Sequence, residues 1–302
     1  MFIVKHRLFF FLFTGLLTVV AIAAIVFWPP QLSIDFTGGS LVEVEYTDAR
    51  PTIDTLHASL SNAGFSEASL RESGEKGISV RTRTLTPDEH DALVGALSEN
   101  GQAPLTVGRS TSIGPSLGNE LSTKALYAIL SVILAIVLYI AWAFRKVSRP
   151  VSSWVYGLTV VAILVHDILI PAGFYAIYAH FTGAQADTLF VVALLAILGY
   201  SVNDTIVIFD RVREHLAHNE KTGTKQEFDE VVGRSITETL GRSINTSLTV
   251  VLALVALAFF GSPVTLNFSL VLLAGVVAGT YSSILLAAPL LVPLAKVLAK
   301  HS

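Results

Sequence analysis

The chain has 302 residues, of which 52% are hydrophobic and only 14% are charged, and it contains no cysteine. Soluble domains carry about 25% charged residues, so this composition is typical of an integral membrane protein. The lack of cysteine excludes disulfides, thiol catalysis and thiolate metal sites. The net charge of −3 favours no class of partner by itself.

Residues 8–28 form the first long apolar run. Its Ala21-Ile-Ala23 segment is similar to a signal-peptide cleavage site. The run nevertheless continues to Trp28 and reaches 21 residues, a length typical of a membrane-spanning helix. We therefore expect residues 1–28 to form a short cytoplasmic lead and a retained span one.

Residues 29–121 are more polar and change between strand and helix patterns. Runs of period two predict strands, and Thr86 followed by Pro87 has the cap and first-turn residues of a helix. The predicted order β-α-β-β-α-β indicates a small ferredoxin-like α+β domain. Acidic residues outnumber basic ones about two to one in this segment, which argues against a nucleic-acid partner.

Residues 122–302 contain five further apolar runs, so the sequence predicts an α-helical bundle of six spans in total. Spans two to six cover residues 122–144, 152–179, 188–210, 238–260 and 266–297. The charged loop 211–237 between spans four and five is amphipathic, which predicts a helix on the membrane surface.

Outside the α+β domain, the basic residues of the termini and of the loops between spans lie on one side of this predicted topology. The short loops FTGAQAD and GSPVTLN on the other side carry none. By the positive-inside rule both termini and the loop 211–237 are cytoplasmic, and the α+β domain is extracytoplasmic. The twelve basic residues on the cytoplasmic side are Lys5, Arg7, Arg145, Lys146, Arg149, Arg211, Arg213, Lys221, Lys225, Arg234, Lys296 and Lys300.

Span four contains the stretch LGYSVNDTIVIF, in which Asn203 and Asp204 are adjacent. Asp204 and Arg242 of span five are each several residues from the cytoplasmic end of their span, on the order of 10 Å below the membrane surface. An isolated charge in hydrocarbon costs at least about 3 kcal/mol. The sequence therefore predicts that Asp204 and Arg242 face each other.

Two other spans carry polar groups at membrane depth. Span three has His166 and Asp167 near its middle. Span five has polar residues at a spacing of three and four, which predicts a helix face that meets protein or water rather than lipid. These residues are Thr239, Arg242, Asn245, Thr246 and Thr249.

Two interpretations of these groups are open. A buried Asp–Arg pair and hydroxyl side chains can simply fix helix packing, as Gly275-x-x-x-Gly279 in span six is expected to do. Alternatively, Asp204 binds and releases a proton, with Arg242 as the fixed counter-ion, and the membrane potential drives a conformational cycle. We find no ATP-binding, Ser-His-Asp or metal-binding motif in the sequence, so we expect no enzyme activity and no cofactor besides the proton.

Six segments in order along nearly the whole chain resemble the SecF family, the smaller subunit of the bacterial SecD–SecF export complex in the RND superfamily. They are SIDFTGGSLVEV, SIGPSLGNEL, VHD, LGYSVNDTIVIFDRVRE, TLGRSINTSLTV and FSLVLLAGVVAGTYSSI.

This resemblance implies a bacterial inner-membrane protein in which SecD supplies the other six spans of a twelve-span transporter. It implies work beside the SecYEG channel on unfolded preproteins, driven by the proton gradient after the SecA ATPase has acted. Asp204 and Arg242 fall on the family's proton-linked pair. Asp35, Gly38 and Gly39 fall on its signature, where the glycine pair is expected to form a turn or a hinge.

Two other functions stay open at this point. An RND-type exporter of small molecules or lipids has the same spans, but a single outer domain of about 90 residues is small for a substrate funnel. A scaffold that steadies the channel without using energy is the second alternative. The ionisable groups inside the membrane argue against it.

Overall fold

The computed structural model describes residues 2–145 and 153–299. Within these ranges six helices are long and apolar enough to cross a membrane, which confirms the predicted six spans. The spanning segments are Arg7–Phe27, Pro115–Ala143, Trp154–Thr182, Thr188–Thr222, Phe228–Phe260 and Val264–Val297. Lys146, Arg149 and Lys300, which the predicted topology also uses, lie outside the described residues.

The helices differ in length and in regularity. They are α1 (Phe2–Lys5), α2 (Arg7–Phe27), α3 (Ile34–Thr37), α4 (Ile53–Asn62), α5 (Pro87–Leu97), α6 (Pro115–Ala143), α7 (Ser153–Thr182), α8 (Thr188–Thr222), α9 (Phe228–Phe260), α10 (Pro263–Ser282) and α11 (Ala288–Ala299). A π-helical turn, Ser283–Ala287, joins α10 to α11 within span six. Such turns are rare in proteins, and those that occur are often found at functional sites.

Residues 32–126 form a compact unit with its own hydrophobic core. Its strands are β1 (Gly39–Tyr46), β2 (Ser69–Ser73), β3 (Gly77–Thr82) and β4 (Leu105–Ile113). They form one antiparallel sheet in the order β2-β3-β1-β4. Alternate residues of β1, including Val42 and Val44, are buried with Leu56 of α4 and Leu93 of α5, so both helices pack on one sheet face. This arrangement confirms the predicted ferredoxin-like domain.

The start of α5 has the local interactions that its sequence predicts. Thr86 accepts from the Glu89 amide at 3.4 Å, and the Glu89 carboxylate accepts from the Thr86 amide at 2.8 Å, which forms a capping box. Arg83 also donates to Glu89 at 2.5 Å. The hydrogen bond from Arg83 contributes most, followed by those from Thr86, and together they lower the pKa of Glu89 from its usual 4.5 to about 2.

The membrane unit has spans three, four and six at its centre, because these are more buried than spans one, two and five. Two glycines allow α10 to lie close against α8. A Cβ added to Gly275 would collide with Ile197, and one added to Gly279 would lie 3.0 Å from the Ser201 Cβ. The glycine pair of span six is therefore a packing motif, as its spacing predicts.

The predicted surface helix over residues 211–237 is wrong. Most of these residues extend the two spanning helices, since α8 continues to Thr222 and α9 begins at Phe228. The hydropathy pattern marks where the apolar run ends, but ion pairs let the helices continue beyond that point. Glu238 of α9 accepts hydrogen bonds from Arg211 of α8 at 2.5 Å and from Arg234 at 2.8 Å.

Candidate functional site

Asp204 is buried on α8 and has very different surroundings at its two carboxylate oxygens. The Ser243 hydroxyl of α9 donates to Asp204 Oδ1 at 2.6 Å. Asp204 Oδ2 is buried without a hydrogen-bond partner among residues 2–145 and 153–299. A buried polar atom without a partner loses its hydration without compensation, so the ionised form of this carboxyl is poorly satisfied in this geometry.

The predicted direct contact between Asp204 and Arg242 is not made in this structure. Arg242 is exposed and forms no ion pair with any residue that the structure describes, although its charge is close enough to interact with Asp204. The physical reason is helix rotation, because neighbouring residues differ by about 100° in direction. Ser243 faces α8, and Arg242 therefore faces elsewhere.

The polar stripe predicted on span five divides into two faces. The buried face carries Thr239, as predicted, together with Ser243 and Ser247, which follow at intervals of four. The other predicted members, Arg242, Asn245, Thr246 and Thr249, are exposed, as is Asn203 on α8. Of the stripe that is predicted to meet protein or water, only Thr239 therefore contacts the other helices of this chain, and its other four members stay a prediction.

Asp167 lies at the centre of a buried network that joins three spans. Its Oδ2 accepts hydrogen bonds from Ser201 of α8 and from Ser282 of α10, the latter at 2.9 Å. Its Oδ1 lies 2.7 Å from His166 Nδ1. The Tyr281 hydroxyl lies 3.2 Å from His166 Nε2, so a histidine protonated at Nδ1 donates to Asp167 and accepts from tyrosine.

Further hydroxyl pairs connect the same helices on either side of these carboxylates. Tyr200 of α8 donates to Ser247 of α9 at 2.9 Å, and Ser247 lies 2.6 Å from the Thr280 hydroxyl of α10. Thr205, the residue after Asp204, lies 2.8 Å from the hydroxyl of Ser283 in the π turn. Side chains next to Asp204 and Asp167 thus contact one another across spans four, five and six.

The sequence reasoning missed most of these hydroxyl partners. Ser243 lies next to Arg242 and carries no charge, so the sequence alone gives no reason to select it. Ser282 lies three residues after Gly279 on α10. Its spacing from Gly275 and Gly279 on one face of α10 was the signal, because that face meets α8.

The signature residues Asp35, Gly38 and Gly39 lie in the outer unit. Asp35 is in the first turn of α3, whose Ser33 cap accepts from the Asp35 amide at 3.2 Å. Gly38 and Gly39 have φ values of +74° and +121°. An added Cβ would lie 2.8 Å from Pro115 Cα at Gly38 and 2.6 Å from the Thr82 carbonyl oxygen at Gly39. This geometry is that of a tight, closely packed turn.

Comparisons with known proteins agree with the arrangement of spans and domain. A family model described as the C-terminal region of the protein export membrane proteins SecD and SecF matches residues 94–297. A second model, the SecD/SecF GG motif, matches residues 24–49, which include Gly38 and Gly39.

The relatives include proteins named protein translocase subunit SecF. The one from Thermobaculum terrenum is 36% identical and covers 96% of this chain and 92% of the relative, and the one from Anaerolinea thermophila is 37% identical over 95% and 92%. The SecDF subunit of Bacillus subtilis is 33% identical, but the chain covers only 37% of it.

A crystal structure of SecDF, a translocon-associated membrane protein from Thermus thermophilus, is also similar. It has a TM-score of 0.80 and 30% sequence identity, and the match covers 99% of this chain and 38% of the solved chain. This multi-pass membrane chain therefore belongs to the SecD/SecF family of protein export membrane proteins, in its SecF branch.

Proposed function

We propose that the chain acts in protein export as the SecF-type half of a proton-driven complex, with Asp204 as the group that binds and releases the proton. The observation that carries this proposal is the unequal contact of its two oxygens, with Oδ1 bonded to Ser243 and Oδ2 buried without a partner among the described residues. An ionised carboxylate of this kind is costly at membrane depth, and protonation removes the charge.

Asp167 has a different role in the same machinery, because its contacts differ. Three side chains, His166, Ser201 and Ser282, surround its two oxygens. A carboxylate with this many donors is well satisfied as an ion. We assign Asp167 and His166 to positioning: they hold spans three, four and six together while Asp204 changes its protonation state.

The hydrogen bond between Ser243 and Asp204 is the proposed link from proton binding to helix movement. It joins span four to span five at the group that we propose to titrate. Protonation weakens the acceptor strength of Asp204, because hydrogen bonds to charged groups are stronger than neutral ones. Each proton that crosses the membrane releases about 2.3 kcal/mol per 100 mV, which can drive repeated separation of the two spans.

SecD is the proposed partner that completes the transporter, and its contact is supported by the exposed polar residues on spans four and five. Asn203, Arg242, Asn245 and Thr246 are exposed in the single chain. Polar groups at membrane depth face protein or water rather than lipid. We expect SecD to cover this face, so that Arg242 acts on Asp204 from the subunit interface.

The proposed setting is the bacterial inner membrane, with both termini in the cytoplasm and the unit of residues 32–126 outside. Outside the α+β domain, the basic residues of the termini and loops lie on one side of the spans, which supports this orientation. The complex would act beside SecYEG on unfolded preproteins after the ATP-driven step, with lipid around its outer helices. An exporter of small molecules is disfavoured because the only outer unit in the described residues is this one small domain.

The test compares export and proton flux in vesicles that contain the chain with SecD, SecYEG and SecA. We expect Asp204→Asn and Arg242→Met to abolish the gradient-dependent part of export and the proton flux while the complex still assembles. Asp210→Asn is the matched control, since Asp210 is an exposed carboxylate on α8 paired with Arg213. Unchanged gradient-dependent export in the Asp204 variant would favour the scaffold function instead.

A further inference from the structure

Strand β4 has a long free edge in the outer unit. It spans nine residues, Leu105–Ile113, and pairs with β1 on one side. Within residues 32–126, all of which are described, no strand pairs with its other side. The backbone N–H and C=O groups along such an edge are a template for another extended chain.

The side chains along this edge leave the backbone accessible. Residues 106–110 are exposed without interruption, and they include Gly108 and the small residues Thr106 and Ser110. Val107 is 38% exposed although its partner Val44 on β1 is buried, so an apolar position is uncovered at the edge. The strand contains no proline and one charged residue, Arg109.

The opposite edge of the sheet is protected in the way that natural edge strands are. Strand β2 has only five residues, Ser69–Ser73, and two of them are charged. Glu72 forms an ion pair with Arg50 at 2.7 Å. Short length and charge both discourage pairing with another chain. By contrast, β4 has nine residues and one charge, and although it has a β-bulge at Gly108, residues 109–113 pair regularly with β1.

The chemistry of this edge fits an extended polypeptide of variable sequence. Main-chain hydrogen bonds supply affinity in strand addition, whereas side-chain pockets supply specificity. The edge of β4 offers main-chain hydrogen bonds, but its small exposed side chains form very little in the way of specificity pockets. We propose that β4 binds a segment of the exported polypeptide as a fifth strand, a proposal that rests on the export function proposed above.

Strand β4 is followed almost directly in the sequence by the helix of the second span. Strand β4 ends at Ile113 and α6 begins at Pro115. A Cβ added to Gly118 of α6 would lie 2.6 Å from the Gly38 amide nitrogen, so the first turn of α6 is packed tightly against the segment that precedes β1. Only one residue separates β4 from α6, and the first turn of α6 is tightly packed. A polypeptide bound at β4 would therefore be linked to α6 by a short connection.

Cysteine crosslinking tests the proposal directly, because the chain has no cysteine of its own. Ser110→Cys and the control Ser69→Cys each place one thiol at an exposed serine on opposite edge strands. The full chain is reconstituted with its partner subunit and the translocation channel. A preprotein that carries single cysteines at successive positions is arrested in transit, and disulfide formation is measured at each position.

We expect Ser110→Cys to crosslink to the preprotein with a period of two residues, because alternate side chains of a paired strand face the same side. We expect Ser69→Cys to crosslink roughly tenfold less. Equal crosslinking at all preprotein positions would mean proximity without strand pairing and would overturn the proposal. A lack of crosslinking from Ser110→Cys at every preprotein position would overturn it as well.

Val107→Lys, combined with Ser110→Cys, adds the charge that natural edges use for protection. We expect preprotein crosslinking to fall roughly fivefold, with Ser69→Lys as the matched control. Unchanged crosslinking in the Val107 variant would contradict strand addition. Export with and without a proton gradient is measured in the same vesicles. If export depends on the gradient but no crosslink forms, only the proposal for β4 is rejected. If export is the same with and without the gradient, the proposed function is rejected.

Discussion

Ser243 donates a hydrogen bond of 2.6 Å to Asp204, while Arg242, one residue earlier on the same helix, is exposed and makes no ion pair with Asp204. At Asp204, the contact between spans four and five is thus a hydroxyl–carboxylate hydrogen bond within the chain. The guanidinium of Arg242 remains exposed, and Ser243 is the residue of span five that donates directly to Asp204.

Ser243→Ala removes the hydrogen bond that Asp204 Oδ1 accepts. Because hydrogen bonds to charged groups contribute about 1.5–3 kcal/mol, we expect gradient-dependent export to fall by roughly tenfold or more. The measurement is the initial export rate in vesicles with and without an imposed proton gradient.

Ser269→Ala is the control for this change. Ser269 is a buried serine of α10 that donates to the Thr265 carbonyl oxygen of its own helix at 2.7 Å. Its loss should leave gradient-dependent export close to wild type. Equal losses in both variants would show that export responds to any lost buried hydroxyl, and Ser243 would then have no special link to Asp204.

Asp167→Asn should destabilise the membrane unit more than Asp204→Asn does. Asparagine at position 167 replaces one acceptor oxygen with a donor in a site where three side chains surround the carboxylate. We expect a loss of roughly 2–4 kcal/mol, because buried donors are left without an acceptor. The measurement is thermal unfolding in detergent.

Asp204→Asn is the matched comparison, since asparagine can keep its oxygen toward Ser243 and place its amide at the unpartnered position. We expect its stability to stay within about 1 kcal/mol of wild type. Similar destabilisation by both variants would contradict the division of roles between the two carboxylates.

The six spans and the ferredoxin-like domain could be predicted because each rests on a repeated pattern. Apolar runs mark spans, and period-two strands with a capping residue such as Thr86 mark the domain. Each pattern extends over many residues, so an error of a few residues at a predicted boundary does not change the predicted fold.

The partner of Asp204 could not be predicted in the same way, because Arg242 and Ser243 are neighbours and only the rotation of α9 selects between them. Charge favoured the arginine, and packing selected the serine. The continuation of α8 and α9 through most of residues 211–237 could not be predicted for the same reason. Hydropathy does not report helix continuity, and the contact of Arg211 with Glu238 is formed only when α8 and α9 are already side by side.

Gly275→Ala should loosen the packing of α10 on α8, because the new Cβ would overlap the side chain of Ile197. Overpacking of this kind costs about 1–3 kcal/mol. We expect a lower unfolding temperature and reduced export, since Ser282 and Ser201 would no longer approach Asp167 together.

The double variant Gly275→Ala with Ile197→Ala tests the cause, because the second change removes the atoms that clash. We expect it to recover part of the stability lost in the single Gly275 variant. Gly199→Ala is the control on α8, where an added Cβ meets nothing within 4 Å. A lack of recovery in the double variant would show that the contact with Ile197 is not what limits this position.

The outer domain should lose stability in acid through Glu89. Its folded pKa of about 2 is below its usual 4.5 because Arg83 and Thr86 donate hydrogen bonds to it. A depressed folded pKa gives stability that is present above pH 4.5 and is lost as the pH falls toward 2. Glu89→Gln removes this dependence, because glutamine does not titrate.

We therefore expect Glu89→Gln to raise hydrogen exchange in residues 77–97 of the full chain at pH 6, compared with wild type at the same pH. The difference between the two proteins should shrink through the window from pH 4.5 to pH 2, as Glu89 of the wild type becomes protonated. Glu75→Gln is the control, since Glu75 is exposed in the turn between β2 and β3. A difference that stays constant across this window would show that the charge of Glu89 does not stabilise the α5 cap, and that its contribution comes from neutral hydrogen bonds that glutamine cannot reproduce.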